Sequence, residues 1–319
     1  MKICVIKGGL SNEREVSLST GKTFEQSVIN LGHELISFDL TKNNIVDMML
    51  MLQSQKPDFI LNALHGPFGE DGTIQGIFEM LRIPYSHSHV LASALAMNKI
   101  QSKYIFEQFG LTTPQWEKIS IQDLKKYGTS FLKPFFLKPI SEGSTIGVSL
   151  IKTDNDLKNA LSTWNFGVNA LIEKQIKGRE LTVSLLDDEI LGIAEIIPLK
   201  SEFSDYEAKY TEALEKRLIP APITHDQAKQ ISALTKKAHY ALGCTGLTRT
   251  DFIFDGKDFY ILELNTQPGF TPTSFAPLKA KQRGWTVDQL VQKIIDSAFM
   301  HHNKLKDGEI ITSTLKESA

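Results

Sequence analysis

At 319 residues the chain exceeds the usual size of a single domain, so two or three packed domains with clefts between them are expected. Its 35 lysines and arginines nearly balance 37 aspartates and glutamates, which argues against nucleic acid as a partner. Two cysteines are too few for a disulfide framework, and no run approaches the roughly 18 apolar residues of a membrane span. We therefore expect a cytoplasmic protein without a membrane partner.

The first part of the chain alternates strands with helices. Apolar runs over residues 2–6 and 59–64 predict strands, and the stretch 13–31 between them has the apolar spacing of a helix. Strands that alternate with helices of this length indicate a parallel α/β sheet whose loops gather at the carboxyl ends of the strands. This interpretation makes residues 1–98 one domain.

Beyond that point the predicted strands become shorter and less regularly spaced. Apolar segments around residues 135–138 and 170–172 indicate a small α+β domain that covers residues 99–179. A predicted hairpin, a long helix, two further strands and a closing helix then make up a second α+β domain over residues 180–319.

Residues 199–222 have a different texture from the rest of this last domain. They hold charged and aromatic residues without either a helical or a strand period, and prolines close them. The segment is therefore a solvated loop or an active-site lid, because long irregular connections in compact domains are usually functional or disordered.

A predicted hairpin near the end of the chain brings polar residues together. Two β-rich segments, residues 248–254 and 259–264, flank a turn signal at residues 255–258. A three-residue loop would place Asp255 opposite Phe259, and counting back from there sets the register. The register then pairs four polar residues on one face of the hairpin, namely Asp251 with Glu263 and Arg249 with Asn265.

Facing carboxylates repel each other unless a cation lies between them, so this pairing predicts a divalent ion bound by Asp251, Glu263 and Asn265. Oxygen-only ligands of this kind suit Mg²⁺ that is held jointly with substrate phosphates. The alternative is a solvated outer face on which Arg249 neutralises the carboxylates.

Other candidate residues are more ambiguous. Residues 141–147 form a Gly- and Ser-rich loop after the strand that carries Lys138, and such a loop either cradles a phosphate or is an ordinary turn. Lys99 is likewise a phosphate ligand or a surface residue of a helix. Glu13, at a helix start, either stabilises the helix or holds a substrate ammonium. The turn at residues 8–9 lacks the glycine spacing of dinucleotide sites, which counts against a nicotinamide enzyme.

Seven segments, in order along nearly the whole chain, resemble D-alanine-D-alanine ligases. They are residues 8–18 (GGLSNEREVSL), 65–72 (HGPFGEDG), 91–97 (LASALAM), 142–144 (EGS), 178–183 (GRELTV), 205–210 (DYEAKY) and 263–269 (ELNTQPG). The resemblance implies a three-domain ATP-grasp fold of the α/β class, with a parallel N-terminal α/β domain followed by central and C-terminal α+β domains. Nucleotide would lie between the last two.

The resemblance also implies an activity and a homodimer. Two D-alanine molecules would be joined through an acyl phosphate, with release of ADP and phosphate, for peptidoglycan precursor synthesis in the bacterial cell wall. Cofactors would be ATP and two Mg²⁺ (or Mn²⁺) held by Asp251, Glu263 and Asn265.

Each further site residue is implied by the resemblance at a matching position. The first D-alanine would be bound by Glu13, Ser144, Tyr210 and His65, and the second by Ser274 and Phe275. The nucleotide would contact Lys99, Lys138, Glu173, Lys174, Ile176, Glu180 and Lys209. An oxyanion would be stabilised by Arg249 and the Gly269 amide.

Departures from the family pattern affect the shape of the pocket more than the reaction. Residues 86–89 (SHSH) replace glycines, Asn98 stands where an Asp is usual, and Phe275 replaces a more common Leu. Two alternatives stay open, a related ligase that uses D-lactate as the second substrate and a nucleotide-binding regulator without turnover. The presence of all the metal ligands argues against the regulator.

Overall fold

A computed structural model of the protein describes residues 1–199 and 214–306. Most of the predicted lid and both Lys209 and Tyr210 lie outside the described residues. None of the helices in the described part of the chain is long and apolar enough to span a membrane.

The N-terminal sheet is parallel, as predicted, because its short strands are connected through helices. Its strand order is β2-β1-β3, and the central strand β1 is almost entirely buried. The elements are β1 (Lys2–Gly8), α1 (Arg14–Asn30), β2 (Glu34–Leu40), α2 (Ile45–Gln55), β3 (Phe59–Asn62), α3 (Thr73–Leu81) and α4 (Val90–Met97).

The central part forms a four-stranded antiparallel sheet of order β4-β7-β5-β6. Asn98 caps its first helix, since its side-chain oxygen accepts from the backbone N–H groups of Ile100 and Gln101. The elements are α5 (Lys99–Gln108), β4 (Trp116–Ser120), α6 (Ile121–Tyr127), β5 (Phe135–Lys138), β6 (Ser149–Ile151), α7 (Asp154–Ser162) and β7 (Asn169–Lys174).

The C-terminal part forms a five-stranded antiparallel sheet of order β10-β9-β8-β11-β12. The elements are β8 (Arg179–Leu186), β9 (Glu189–Pro198), β10 (Glu215–Leu218), α8 (His225–Ala241), β11 (Leu247–Phe254), β12 (Phe259–Asn265), α9 (Phe275–Gln282) and α10 (Val287–Lys306). The predicted hairpin of β8 and β9 is present. The predicted domain boundaries, after residues 98 and 179, stay a prediction.

The register of β11 and β12 differs from the prediction near the turn and agrees with it at the polar residues. Phe254, not Asp255, pairs with Phe259, because Asp255 instead accepts hydrogen bonds from the backbone of the turn. A bulge at Leu262 then shifts the register by one residue. The two differences cancel, so the pairs predicted further along the hairpin form, Asp251 with Glu263 and Arg249 with Asn265.

The N-terminal sheet and the C-terminal helices share one apolar core. Phe24 of α1 packs against Phe270 with ring centroids 4.8 Å apart and ring planes tilted by 44°, and both rings are completely buried. Close by, the backbone N–H of Phe270 donates to the Thr20 hydroxyl at 3.3 Å. The first and last parts of the chain are therefore held together next to the loops that follow β1 and β3.

Replacing Phe24 by alanine should lower the free energy of unfolding by about 3 to 5 kcal/mol, because a fully buried ring leaves a cavity. Equilibrium urea unfolding followed by circular dichroism measures this loss. Phe68→Ala, at a ring that is 51% exposed, is the control and should change the value by less than about 0.5 kcal/mol. Equal effects of the two substitutions would contradict a shared core at Phe24.

Candidate active site

Two adjoining cavities lie between the three sheets. The first, of about 540 Å³, is bounded by loops of the N-terminal sheet and by β11 and β12. The second, of about 590 Å³, lies between the central and C-terminal sheets. Both are lined by the residues of a shared wall, namely Lys99, Glu142, Glu180, Ile196, Asp251 and Glu263.

All the predicted site residues within the described ranges line one cavity or both. Those that line only the first are Glu13, His65, Ser144, Arg249, Asn265, Gly269, Ser274 and Phe275. Those that line only the second are Lys138, Glu173, Lys174 and Ile176. The roles assigned to them stay predictions, but the fold brings these residues together from all three sheets.

Glu13 lies in a narrow, buried position at the start of α1, where it is only 7% exposed. A Cβ at Gly66 or Gly143 would lie 2.7 Å or 2.6 Å from its Oε2 atom, so a side chain at either position would displace the Glu13 carboxylate. The Ser144 hydroxyl donates to its Oε1 atom. The carboxylate is thus held between a loop of the N-terminal sheet and the loop after β5.

His65 forms a buried ion pair next to this carboxylate. Its Nδ1 atom lies 2.9 Å from Glu70 Oε1, and its Nε2 atom lies 3.0 Å from the Thr20 hydroxyl. Burial lowers the pKa of His65, but the hydrogen bond and the charge of Glu70 outweigh burial and raise that pKa above its usual value. The raised pKa favours the cationic form of the imidazole, and that form would attract a substrate carboxylate.

The facing carboxylates of β11 and β12 are each neutralised by a side-chain cation. Arg249 Nη2 lies 2.9 Å from Asp251 Oδ2, and Lys99 Nζ lies 3.0 Å from Glu263 Oε2. Thr182 also donates to Asp251 Oδ1 at 2.7 Å. Arg249 therefore pairs with a carboxylate as the alternative interpretation required. The face is not a solvated one, however, because Asp251 is 6% exposed and lines both cavities.

Two residues of the shared wall and the neighbouring Asn265 have the ligand chemistry of a divalent-cation site. Asp251, Glu263 and Asn265 offer carboxylate and amide oxygens, which are the ligands that Mg²⁺ and Mn²⁺ prefer. Bonds from Thr182 and from the Gln267 N–H, which donates to Asn265 Oδ1 at 3.0 Å, fix two of these side chains. The residues present fit a metal ion.

A buried carboxylate with two lysines lies at the second cavity. Glu173 is 1% exposed, and its two oxygens lie 2.5 Å from Lys138 Nζ and 2.5 Å from Lys103 Nζ. Burial raises the pKa of Glu173, but the charges of Lys103 and Lys138 outweigh burial and lower it, so the carboxylate is ionised. Lys103 was not predicted, because a buried lysine inside a helix leaves no signal in a single sequence.

Comparison with known proteins agrees with this geometry. A family model described as D-ala D-ala ligase C-terminus matches residues 105–296, and one described as D-ala D-ala ligase N-terminus matches residues 47–88. D-alanine-D-alanine ligase of Parvibaculum lavamentivorans is 41% identical over 305 residues, which cover 93% of this chain and 97% of the relative. The chain belongs to the D-alanine-D-alanine ligase family.

Solved structures of the same family match the whole fold. The D-alanine-D-alanine ligase of Bacillus anthracis superposes with a TM-score of 0.82 at 33% identity, over 96% of this chain and 99% of that one. Its complex with ATP has a TM-score of 0.80 at 29% identity, over 96% of this chain and 99% of that one. The predicted three-domain ATP-grasp fold, with a parallel α/β part followed by α+β parts, is confirmed, and the sheets of the α+β parts are antiparallel.

This family member carries an arginine at the first cavity that sequence reasoning missed. Arg217 of β10 lies 4.8 Å from the ring centroid of Phe275 and donates to the Thr273 carbonyl at 2.7 Å. Its guanidinium also pairs with the buried Glu215 at 2.5 Å. The Phe275 that departs from the family pattern thus packs against a cation, and no local motif could have predicted a contact between such distant positions.

The departure at residues 86–89 serves to join two parts of the ligase. Ser86 Oγ accepts from the Asn62 N–H at 3.0 Å, and Ser88 Oγ both donates to and accepts from the backbone of Thr245 at 3.1 Å. His87 between them is buried with a φ of +73°. Burial, and secondarily the charge of His65, lowers the pKa of His87 to about 3.

His87 should make the ligase lose stability in mild acid. Because its pKa is about 3 when folded and about 6.5 when unfolded, its stabilisation is complete above pH 6.5 and falls by about 1.4 kcal/mol per unit as pH drops towards 3. Asn tolerates a positive φ, so His87→Asn should fold and show a shallower loss of unfolding free energy between pH 6.5 and 5. Urea unfolding at several pH values measures the slope.

The exposed His225 provides the control for this experiment. His225→Asn should leave the dependence of unfolding free energy on pH as it is in the wild type. If His87→Asn has the wild-type slope as well, the buried imidazole is not the group that titrates.

Proposed function

We propose that the protein joins two D-alanine molecules into D-alanyl-D-alanine at the expense of ATP, releasing ADP and phosphate, as a step of peptidoglycan precursor synthesis. The observation that carries the proposal is the shared wall, where Lys99, Asp251 and Glu263 face both cavities. A phosphoryl group in the second cavity and an amino acid in the first would meet there. The relatives named D-alanine-D-alanine ligase support this assignment.

The first D-alanine would bind next to the buried carboxylate of Glu13. A buried carboxylate that is held by Ser144 suits the ammonium of an amino acid, and the nearby His65, whose pKa is raised, suits its carboxylate. Tyr210, which lies outside the described residues, would complete this hydrogen-bonded set, as predicted from the resemblance. The two charges at fixed positions would align the substrate carboxylate with the shared wall.

The nucleotide would occupy the second cavity. Its adenine and ribose would contact Glu173, Lys174, Ile176 and Glu180, and its phosphates Lys99, Lys138 and Lys209, the last outside the described residues. Asp251, Glu263 and Asn265 would hold two Mg²⁺ (or Mn²⁺), which offset charge on the transferring phosphoryl group. Attack of the D-alanine carboxylate oxygen on the γ-phosphorus of ATP forms the acyl phosphate and releases ADP.

The second D-alanine would then react on the first-cavity side of the wall. Its carboxylate would lie at Ser274 and Phe275, at the start of α9. Its amine attacks the acyl carbon, forms a C–N bond and loses a proton. The bond between the acyl carbon and the phosphate oxygen then breaks, and phosphate leaves. Arg249 and the Gly269 N–H are the donors that would stabilise the oxyanion of the tetrahedral intermediate.

Two further properties belong to the same proposal. A cytoplasmic location follows from the use of ATP as a substrate, and a homodimer is carried over from the family resemblance. Light scattering on the purified protein measures its mass, and a monomeric mass at assay concentrations would refute the dimer.

The decisive assay incubates the protein with ATP, Mg²⁺ and D-alanine and measures phosphate and dipeptide. Equal amounts of phosphate and D-alanyl-D-alanine are expected, with no dipeptide from L-alanine. A parallel reaction with D-lactate as competitor tests the second substrate. Ester in excess over dipeptide, or no phosphate release at all, would overturn the proposal.

Glu263→Gln should lower the ligation rate by at least about 100-fold while the fold stays intact, since loss of even an indirect metal partner commonly costs 10- to 100-fold. The removed carboxylate faces Asp251 across the hairpin, so charge at the shared wall is lost. Rates of phosphate release at saturating ATP and Mg²⁺ measure the effect. Asp258→Asn, at the tip of the same hairpin, is the matched control and should be unaffected. Near wild-type turnover of Glu263→Gln would refute the metal assignment.

A further inference from the structure

Lys103 is a buried cation that neither the resemblance nor the proposed reaction assigns. It lies on α5, is completely buried, and places its Nζ atom 2.5 Å from Glu173 Oε2. The other oxygen of Glu173 lies 2.5 Å from Lys138 Nζ. Glu173 and Lys138 line the second cavity, whereas Lys103 is not among the residues that line either cavity. Lys103 therefore contacts the carboxylate from behind the cavity wall.

Charge balance alone does not require this arrangement. One lysine is enough to neutralise one buried carboxylate, and a second ammonium removed from water adds a desolvation cost. Burial lowers the pKa of Lys103 and the charge of Glu173 opposes that effect only in part. Two lysines on one carboxylate leave a surplus of positive charge. The charge of Glu107 offsets part of it at Lys103, and an anion bound in the cavity would offset it at Lys138.

The positions of Lys103 and Lys138 indicate which of these two lysines is available to an anion in the second cavity. Lys103 follows Lys99 by four residues on α5, so the same helix face presents one lysine to the shared wall and the other to Glu173. Ile100 and Phe106, both buried, fix α5 in place. Lys138, at the end of β5, lies at the cavity surface with its side chain 13% exposed.

We propose that Lys103 is a positioning residue that neutralises Glu173, so that the ammonium of Lys138 can be shared with a phosphate of the nucleotide. The proposal rests on the proposed binding of ATP in the second cavity. Without Lys103, Lys138 is the counter-ion that Glu173 retains at the cavity surface. Its attraction to phosphate is then opposed by a buried carboxylate. The phosphate part of the nucleotide should lose affinity while the adenosine part keeps it.

Isothermal titration calorimetry of Lys103→Met with two ligands tests whether affinity for the phosphates falls while affinity for adenosine is kept. Methionine fills the buried space of the lysine stem without a charge. The Kd for the non-hydrolysable ATP analogue AMP-PNP with Mg²⁺ should rise about tenfold, whereas the Kd for adenosine should change by less than about threefold. Lys125→Met, which removes an exposed lysine of α6, is the matched control and should change neither value.

A double-mutant cycle tests whether Lys103 acts through Glu173. In a Glu173→Gln background the carboxylate is neutral, so Lys103→Met should change the Kd for AMP-PNP by less than about threefold. If the methionine variant fails to fold, Lys103→Gln replaces it with the same expected outcomes.

Three results would overturn the proposal, namely an unchanged Kd for AMP-PNP, equal losses for AMP-PNP and adenosine, and a tenfold loss that persists in the Glu173→Gln background. An equal loss would mean that Lys103 only supports the cavity wall. A wild-type protein that binds neither probe would instead refute the nucleotide site itself, a result that differs from all three.

Discussion

The repulsion between Asp251 and Glu263 constrains how the three sheets assemble. These carboxylates face each other across β11 and β12, where like charges destabilise a hairpin unless cations accompany them. Arg249 supplies one cation from the same strand, but Lys99 comes from the start of α5. Lys99 also donates to the Glu142 carbonyl at 2.8 Å. The ion pair of Lys99 with Glu263 thus places the loop after β5, residues 141–147, over the C-terminal sheet.

That loop carries the constraint on to the N-terminal sheet. Once Glu142 is held, the next two residues bring Ser144 onto Glu13, and Gly143 lies against the same carboxylate. On its other side Glu13 meets Gly66, whose φ of +70° and lack of a Cβ are both needed there. A continuous set of contacts therefore runs from the facing carboxylates to the proposed ammonium site, and it crosses all three sheets.

The features that the sequence predicts correctly are those that depend on a local pattern of residues. The alternation of strands and helices predicts the parallel sheet, and strand period two puts Asp251 and Glu263 on one face. The turn of that hairpin was predicted wrongly, because neither the backbone bonds of Asp255 nor the bulge at Leu262 has a distinct sequence signal. The correct pairing resulted from two differences that cancel.

Other features depend on contacts between distant positions and could not be predicted from one sequence. Lys103 is recognisable only when α5 is seen against β7, and Arg217 only when β10 is seen against α9. The stretch 86–89 appeared as a change in pocket shape, whereas its serines bind Asn62 and Thr245 and join two parts of the molecule. Such roles depend on tertiary packing, and the local spacing of apolar and polar residues does not reveal which distant residues pack together.

The charges of the site also pair with one another within the protein. Each of three candidate cations is paired with a candidate metal or nucleotide carboxylate, as seen for Lys99 with Glu263, Lys138 with Glu173, and Arg249 with Asp251. An unpaired buried charge is strongly destabilising, so these pairs stabilise the arrangement of the site.

On the proposed roles, binding exchanges partners instead of creating new pairs. A metal ion would be held by Glu263 and Asp251, while phosphates would contact Lys99 and share Lys138 with Glu173. A metal ion alone would leave Lys99 without its carboxylate, and a nucleotide alone would leave Glu263 without its lysine. Either half of the exchange would therefore be unfavourable by itself, and this would couple metal affinity to nucleotide affinity through the wall that the two cavities share.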